Sequence, residues 1–351
     1  MAKTQKKTDK TSPVFSTRRK IQLLLLIILL AVSFVLYVFF RHSLSGYSED
    51  GKWIFIPENA AEQAVRDSIM TLGDDAGKAT INVIAAIGDI KNVKVGAYQV
   101  KHGDKPINIA RRLLNGQQTP VRVTFNNIRT MNQLAQRISA RMAFTSDDFM
   151  GACDTILPKS GLRREQFPAA FIPDSYEFYW TANPAKVVNT LLSFRNNFWT
   201  EARLSQAAQL GLTPADVAVI ASIVEEESAK KDERPTIARL YLNRLKKNMP
   251  LQADPTVKFA VGDFSLKRIT NKHLQKRSPY NTYLNLGLPP GPIRIPEKTT
   301  LEAVLTCPEN NYLYMCAKED FSGYHNFTSS YDTHLANARR YQAALDKRGI
   351  K

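Results

Sequence analysis

Twenty consecutive residues, Ile21 to Phe40, carry no charge, and only Gln22, Ser33 and Tyr37 add side-chain polarity. At 1.5 Å per residue a helix of this length spans about 30 Å, the hydrocarbon thickness of a bilayer. Lys3, Lys6, Lys7, Lys10, Arg18, Arg19 and Lys20 precede it, opposed only by Asp9. Such a basic flank holds the N-terminus in the cytoplasm. A cleaved signal peptide wants a shorter apolar core and a small-x-small cleavage site. Here Tyr37-Val38-Phe39-Phe40 runs straight into Arg41-His42. The expectation is an uncleaved single-pass anchor at 21–40, a cytoplasmic tail at 1–20, and everything from residue 41 outside the cytoplasm.

The anchor also decides how the charge is read. A net charge of +16 invites nucleic acid as a partner, but six of those charges sit in the first twenty residues. The remainder suits an anionic wall and anionic lipids, and nucleic acid is not expected. Cys153, Cys307 and Cys316 are too few and too irregular for a disulfide framework. Only Cys307 with Cys316 is close enough in sequence to suggest a pair, the alternative being buried thiols. The five histidines form no HxxxH or HExxH pattern, so neither metal nor other cofactor is implied.

Beyond the anchor, residues 41–92 read as a juxtamembrane region. It holds strands at Gly51 to Ile56 and Asn82 to Ile87 and a helix at Ala60 to Leu72. Residues 93–150 follow as an α/β subdomain. Its parts are the alternating run Val93 to Val100, a Gly-Asp turn, a helix at Ile107 to Leu114 and a strand at Val121 to Phe125. A helix then places Met131, Leu134, Ile138 and Met142 on one face. A second boundary near Ser160-Gly161 opens the largest domain, 160–351, with helices at Val187 to Arg203 and Thr213 to Glu227. Thr213 is its expected N-cap, with Pro214 at the first helical position. The predicted class is α+β.

The chemistry concentrates where that last helix ends. Val217, Ile220, Ala221 and Val224 define a buried face, and Glu225, Glu226 and Glu227 follow at about 100° from one another. The apolar phase puts Glu225 on the buried side. A carboxyl leaving an apolar helix is partly desolvated, so its pKa rises and it can act as a general acid near neutrality. Glu226 is expected to face solvent, and Glu227 to lie near the cleft edge and organise its neighbours.

Six ordered words carry a resemblance: ASIVEEES at 221–228, NRL at 243–245, LQADPTV at 251–257, SPYNTY at 278–283, GLPPGPI at 287–293 and YLYMCAKEDFSGYHNFT at 312–328. Together they resemble the endolytic murein transglycosylase family (MltG/YceG-like), closely in the last half of the chain and more loosely upstream. The resemblance implies an inner-membrane lytic transglycosylase that cuts nascent peptidoglycan glycan strands beside peptidoglycan synthases. It implies a LysM-like subdomain over 93–150, before a YceG-like catalytic domain. It also assigns the acid to the first glutamate after Ser-Ile-Val, Glu225. A single carboxyl suffices for such an enzyme, because the C6 hydroxyl of N-acetylmuramic acid is the internal nucleophile. The products then end in 1,6-anhydro-N-acetylmuramic acid.

Around the glutamates, Gln252, Asp254, Tyr280, Asn281 and His325 are the expected substrate contacts, with Asn243 and Arg244 supporting. The element Phe171 to Tyr179 matches the family's Phe-x-Pro-Asp-Thr-Tyr-x-Phe, with Ser175 in place of Thr. Its aromatics can line a sugar cleft or a core, and Tyr176 is the one counted as a contact. The rival reading is a non-catalytic peptidoglycan-binding scaffold of the cell-wall synthesis machinery.

Overall fold

The computed structural model describes residues 17–44, 46–49, 51–266 and 268–349. The expected basic tail lies largely outside them. Contacts divide the chain into two compact units, Met1–Thr119 and Pro120–Lys351.

The first unit begins with helix α1 (Thr17–Leu44), whose stretch Arg19–Val38 has the length and composition to cross a membrane. Leu23, Leu29, Phe34 and Val35 along it stay exposed instead of joining a core. Strand β1 (Lys52–Ile56) then pairs antiparallel with β2 (Gly96–Val100), Ile54 opposite Tyr98. Between them run α2 (Glu62–Met70) and α3 (Asp74–Ile87), and α4 (Pro106–Asn115) follows. Ile54, Ile69, Ile84, Tyr98, Ile109 and Leu113 form the shared core.

Two expectations change here. Asn82 to Ile87 is the end of α3 and not a strand: the buried positions Gly77, Thr80, Val83 and Ile84 follow helical spacing, which the β-branched run disguises. The strands at 93–100 and 121–125 also belong to different sheets. The first finds its partner upstream in β1, and the second pairs with residues 174–178 downstream.

That second strand, β3 (Val121–Phe125), opens the second unit and lies antiparallel to β4 (Asp174–Phe178). Helices α5 (Met131–Ser139) and α6 (Ser146–Ile156) and a 3₁₀ segment, Arg164–Ala170, lie between these strands in sequence. The single helix expected over Val187 to Arg203 is two, α7 (Pro184–Phe198) and α8 (Glu201–Gln209). Thr200 starts the second by accepting from the Arg203 N–H at 3.4 Å.

Helix α9 (Pro214–Glu227) starts as its sequence dictates. Thr213 and Asp216 cap each other's backbone N–H at 3.2 and 2.9 Å, with Pro214 at the first position. Ala215 and every residue from Val217 to Glu225 are buried, as suits a helix surrounded by others. Helices α10 (Arg234–Lys246), α11 (Asp254–Val261) and α13 (Lys298–Leu305) pack on it, and α12 (Asn271–Leu274) is one short turn. Gly291 lies so close to the Glu165 carbonyl that a Cβ would collide with it. The hairpin of β5 (Tyr314–Ala317) and β6 (His325–Thr328) and the helix α14 (Tyr331–Lys347) complete the unit.

Candidate active site

The last turn of α9 gives its three glutamates three surroundings. Glu225 is closed off, its side chain 2% exposed. Its Oε2 accepts from the Glu297 backbone N–H at 2.8 Å and from the Thr300 hydroxyl at 2.7 Å. Arg294 stands 2.9 Å from Oε1, off the hydrogen-bond direction, and Arg234 lies 3.8 Å away. This corrects the expectation of a desolvated acid at the cleft. The apolar phase did point Glu225 inward, but two buried guanidinium groups meet it there. A carboxylate so compensated holds a fold together; it has no open face for a substrate.

Glu226 departs from expectation too. It is mostly buried, gripped by Arg129 through both oxygens (3.2 and 3.1 Å) and by Arg294 at 2.7 Å. A helix C-terminus disfavours carboxylates. Arg294, Arg234 and Arg129 supply the countercharge that the last turn itself lacks.

Glu227 alone opens onto a cleft, of about 300 Å³. Contributions come from α10 (Leu240, Tyr241, Arg244), the turn Leu251-Gln252 with Asp254, Tyr283, the β5–β6 hairpin including His325, and His334 of α14. The buried Tyr241 donates its hydroxyl to Glu227 Oε1 at 2.6 Å. Desolvation pushes the Glu227 carboxyl up to about 7. The Tyr241 hydrogen bond opposes this, and the charges of Asp254 and Glu226 add to it. A carboxyl with that pKa is half protonated near neutrality, as a group that both gives and takes a proton must be.

The remaining expected residues divide. Arg244 is buried, donating to the Leu251 carbonyl at 2.6 Å and to Gln252 Oε1 at 3.3 Å. It thereby holds Gln252, which has a left-handed φ of 50°, against the cleft. Asp254 accepts from the Tyr283 hydroxyl at 2.6 Å on the same wall. His325 also lines the cleft, with its Nδ1 3.0 Å from Glu233.

Others sit apart from the cleft wall. Asn243 binds the Asn310 and Tyr312 carbonyls and so moors α10 to the segment before β5. Asn281 is fully buried, donating to the Leu274 and Lys276 carbonyls and accepting from the Tyr283 N–H. Tyr280 packs on Phe259 at 4.7 Å, and burial lifts its phenol to about 12. Tyr176 is 3% exposed, its ring held between Phe125 and Phe194 and its hydroxyl donated to Ile172, which leaves no face for a sugar. Tyr241, Tyr283, Tyr314 and His334 were not singled out from sequence. A helical projection from NRL would have found Tyr241 one turn before Arg244. Cys153, Cys307 and Cys316 are free thiols, Cys316 lining the cleft.

The profile of the YceG-like family matches residues 54–340, both units included. The chain belongs to the YceG-like family. Among its relatives, a Bacillus subtilis (strain 168) protein named endolytic murein transglycosylase is 36% identical over 154 residues. That alignment covers 44% of this chain and 42% of the relative. A Streptococcus pneumoniae protein of the same name is 36% identical over 110 residues, 30% of this chain and 20% of its own. The chain therefore aligns with less than half the length of either curated relative. A crystal structure of a YceG-like protein from Listeria monocytogenes shares the fold, at TM-score 0.54 and 23% identity. It covers 82% of this chain and 99% of its own. In this YceG-like chain the SIVEEES word falls at the end of α9, and the LQADPTV word supplies Gln252 and Asp254 of the cleft wall.

Proposed function

We propose that this YceG-like protein is a membrane-anchored endolytic lytic transglycosylase of peptidoglycan, with Glu227 as its general acid and base. The observation that carries the assignment is the contrast within one helical turn. Glu225 and Glu226 are consumed by arginines, whereas Glu227 meets the cleft with its pKa near 7. The relatives' names support the reaction class.

Protonated Glu227 gives its proton to the glycosidic oxygen between N-acetylmuramic acid and N-acetylglucosamine as that bond breaks. The resulting carboxylate takes the proton of the C6 hydroxyl as that oxygen closes onto C1. No water is consumed, and the new end is 1,6-anhydro-N-acetylmuramic acid. Tyr241 orients the carboxyl in both steps, and Gln252, held by Arg244, binds sugar hydroxyls or amides. A hydrolase requires a second carboxylate beside the acid. Asp254 is the candidate on this wall, but the hydroxyl of Tyr283 already occupies one of its oxygens.

Helix α1 would anchor the chain in the inner membrane with its N-terminus in the cytoplasm, beside peptidoglycan synthases whose strands it shortens. The LysM-like glycan-binding role expected for 93–150 would fall instead to the β1–α2–α3–β2 unit. Digestion of purified peptidoglycan, with mass analysis of the ends, tests the reading. Anhydro ends that vanish in Glu227→Gln are expected. Reducing ends as the main product would make the protein a hydrolase, and unchanged activity of Glu227→Gln would remove the acid from Glu227.

A further inference from the structure

Three rings meet where α14 begins. Tyr314 of β5 stacks on His334 with centroids 5.3 Å apart and planes at 24°. Tyr331 packs 5.5 Å from Tyr314 and 6.2 Å from His334. Tyr314 and His334 line the Glu227 cleft, while Tyr331 is 57% exposed just beside them. An exposed tyrosine alone is ordinary. This one is fixed: it is the first residue of a helix capped by Ser330, whose N–H is bound to the Thr328 hydroxyl of β6 at 3.1 Å. The Arg244 guanidinium stands 5.5 Å over the Tyr314 ring. Burial, and then the charge of Arg244, hold the His334 pKa below its ordinary value, so its ring is a neutral flat surface at pH 7. Its Nδ1 has no protein partner.

We propose that Tyr331, supported by Tyr314 and His334, is a sugar-binding shelf at the edge of the cleft. It would hold a hexosamine ring of the bound strand beyond the two sugars joined by the bond that breaks. The flat C–H face of a pyranose lies on an aromatic ring, and a rigid ring with two side-chain torsions loses little entropy in binding. The shelf favours strands over short fragments, because only a substrate that extends past the scissile pair reaches Tyr331. This inference rests on the glycan-cleaving function proposed above.

The test uses the full chain in detergent with uncrosslinked glycan strands and with the disaccharide N-acetylmuramic acid–N-acetylglucosamine, which holds only the bond that breaks. In Tyr331→Ala the KM for strands should rise roughly 3- to 10-fold, the size of one lost ring contact, with kcat within twofold. Cleavage of the disaccharide, which ends at the scissile pair, should not change, and Tyr331→Trp should restore the parent KM. Equal KM values for strands in parent and Tyr331→Ala overturn the shelf, as does a loss of kcat on both substrates. Strand binding is measured in parallel in the Glu227→Gln background. There, weaker binding on adding Tyr331→Ala supports the shelf even if the parent cleaves nothing, an outcome that would defeat only the catalytic reading. Unchanged binding overturns the shelf.

Discussion

Replacing Glu227 by Gln should make the protein more stable and inactive at once. Folding raises this carboxyl from 4.5 to about 7, so the folded chain binds the proton more tightly than the unfolded one. The stability from that proton is complete below about pH 4.5 and is lost as pH rises through about 7. At about 1.4 kcal/mol per pH unit the loss reaches about 3 kcal/mol, an upper figure because the group borders a wet cleft. Gln has the same shape, can still accept from Tyr241 and cannot ionise. At pH 4 the variant and parent should therefore be nearly equal in stability; at pH 8.5 the variant should be ahead by up to about 3 kcal/mol. Urea unfolding followed by tryptophan fluorescence reads this, since Trp180 and the buried Trp199 both lie in the second unit. Over the same range the parent's kcat should fall as pH rises above about 7, because the leaving oxygen needs the protonated form. Below about pH 7 the variant should lose roughly 10²- to 10⁴-fold. A variant less stable than the parent at pH 8.5, or a stability difference that ignores pH, would refute the account of Glu227 as a desolvated cleft acid.

Glu225→Gln should behave in the opposite way: Arg294 and Arg234 lose their buried countercharge, stability drops by about 3–5 kcal/mol in urea, and kcat per folded molecule stays within tenfold. Tyr241→Phe removes a hydrogen bond that favours the Glu227 carboxylate, so the basic limb of the kcat–pH profile should move to higher pH, read by rate measurements from pH 6 to 9. Gly291→Ala forces a methyl onto the Glu165 carbonyl, and overpacking of about 1–3 kcal/mol or more should appear as faster proteolysis of the second unit.

What the sequence disclosed was what neighbours in the chain decide. The apolar run of α1, the Thr213 cap and the length of α9 depend on local spacing and were readable. So was β3, with its alternating Val121, Val123 and Phe125. The roles of the glutamates were not readable, because they are set by Arg294, Glu297 and Thr300, some 70 residues further on. Helical phase pointed Glu225 inward but put Glu226, which is mostly buried too, in solvent, and inward here means an arginine pair and not a substrate. Asn281 and Tyr176 were misplaced for a related reason. A polar or aromatic residue in a Pro-rich word resembles a ligand contact until the fold shows which carbonyls and rings it meets.

The run of three identical residues makes the phase of α9 a matter of reading frame. With Thr213 and Pro214 fixing its start, inserting one residue before Val224 carries Glu226 round to the cleft and Val224 to the arginines. Deleting one instead keeps carboxylates against Arg294 and Arg129 and brings Ser228 to the cleft. The first slip spares the acid and breaks the anchor; the second spares the anchor and removes the acid. One repeated letter thus has three addresses, and only the unshifted helix delivers all of them.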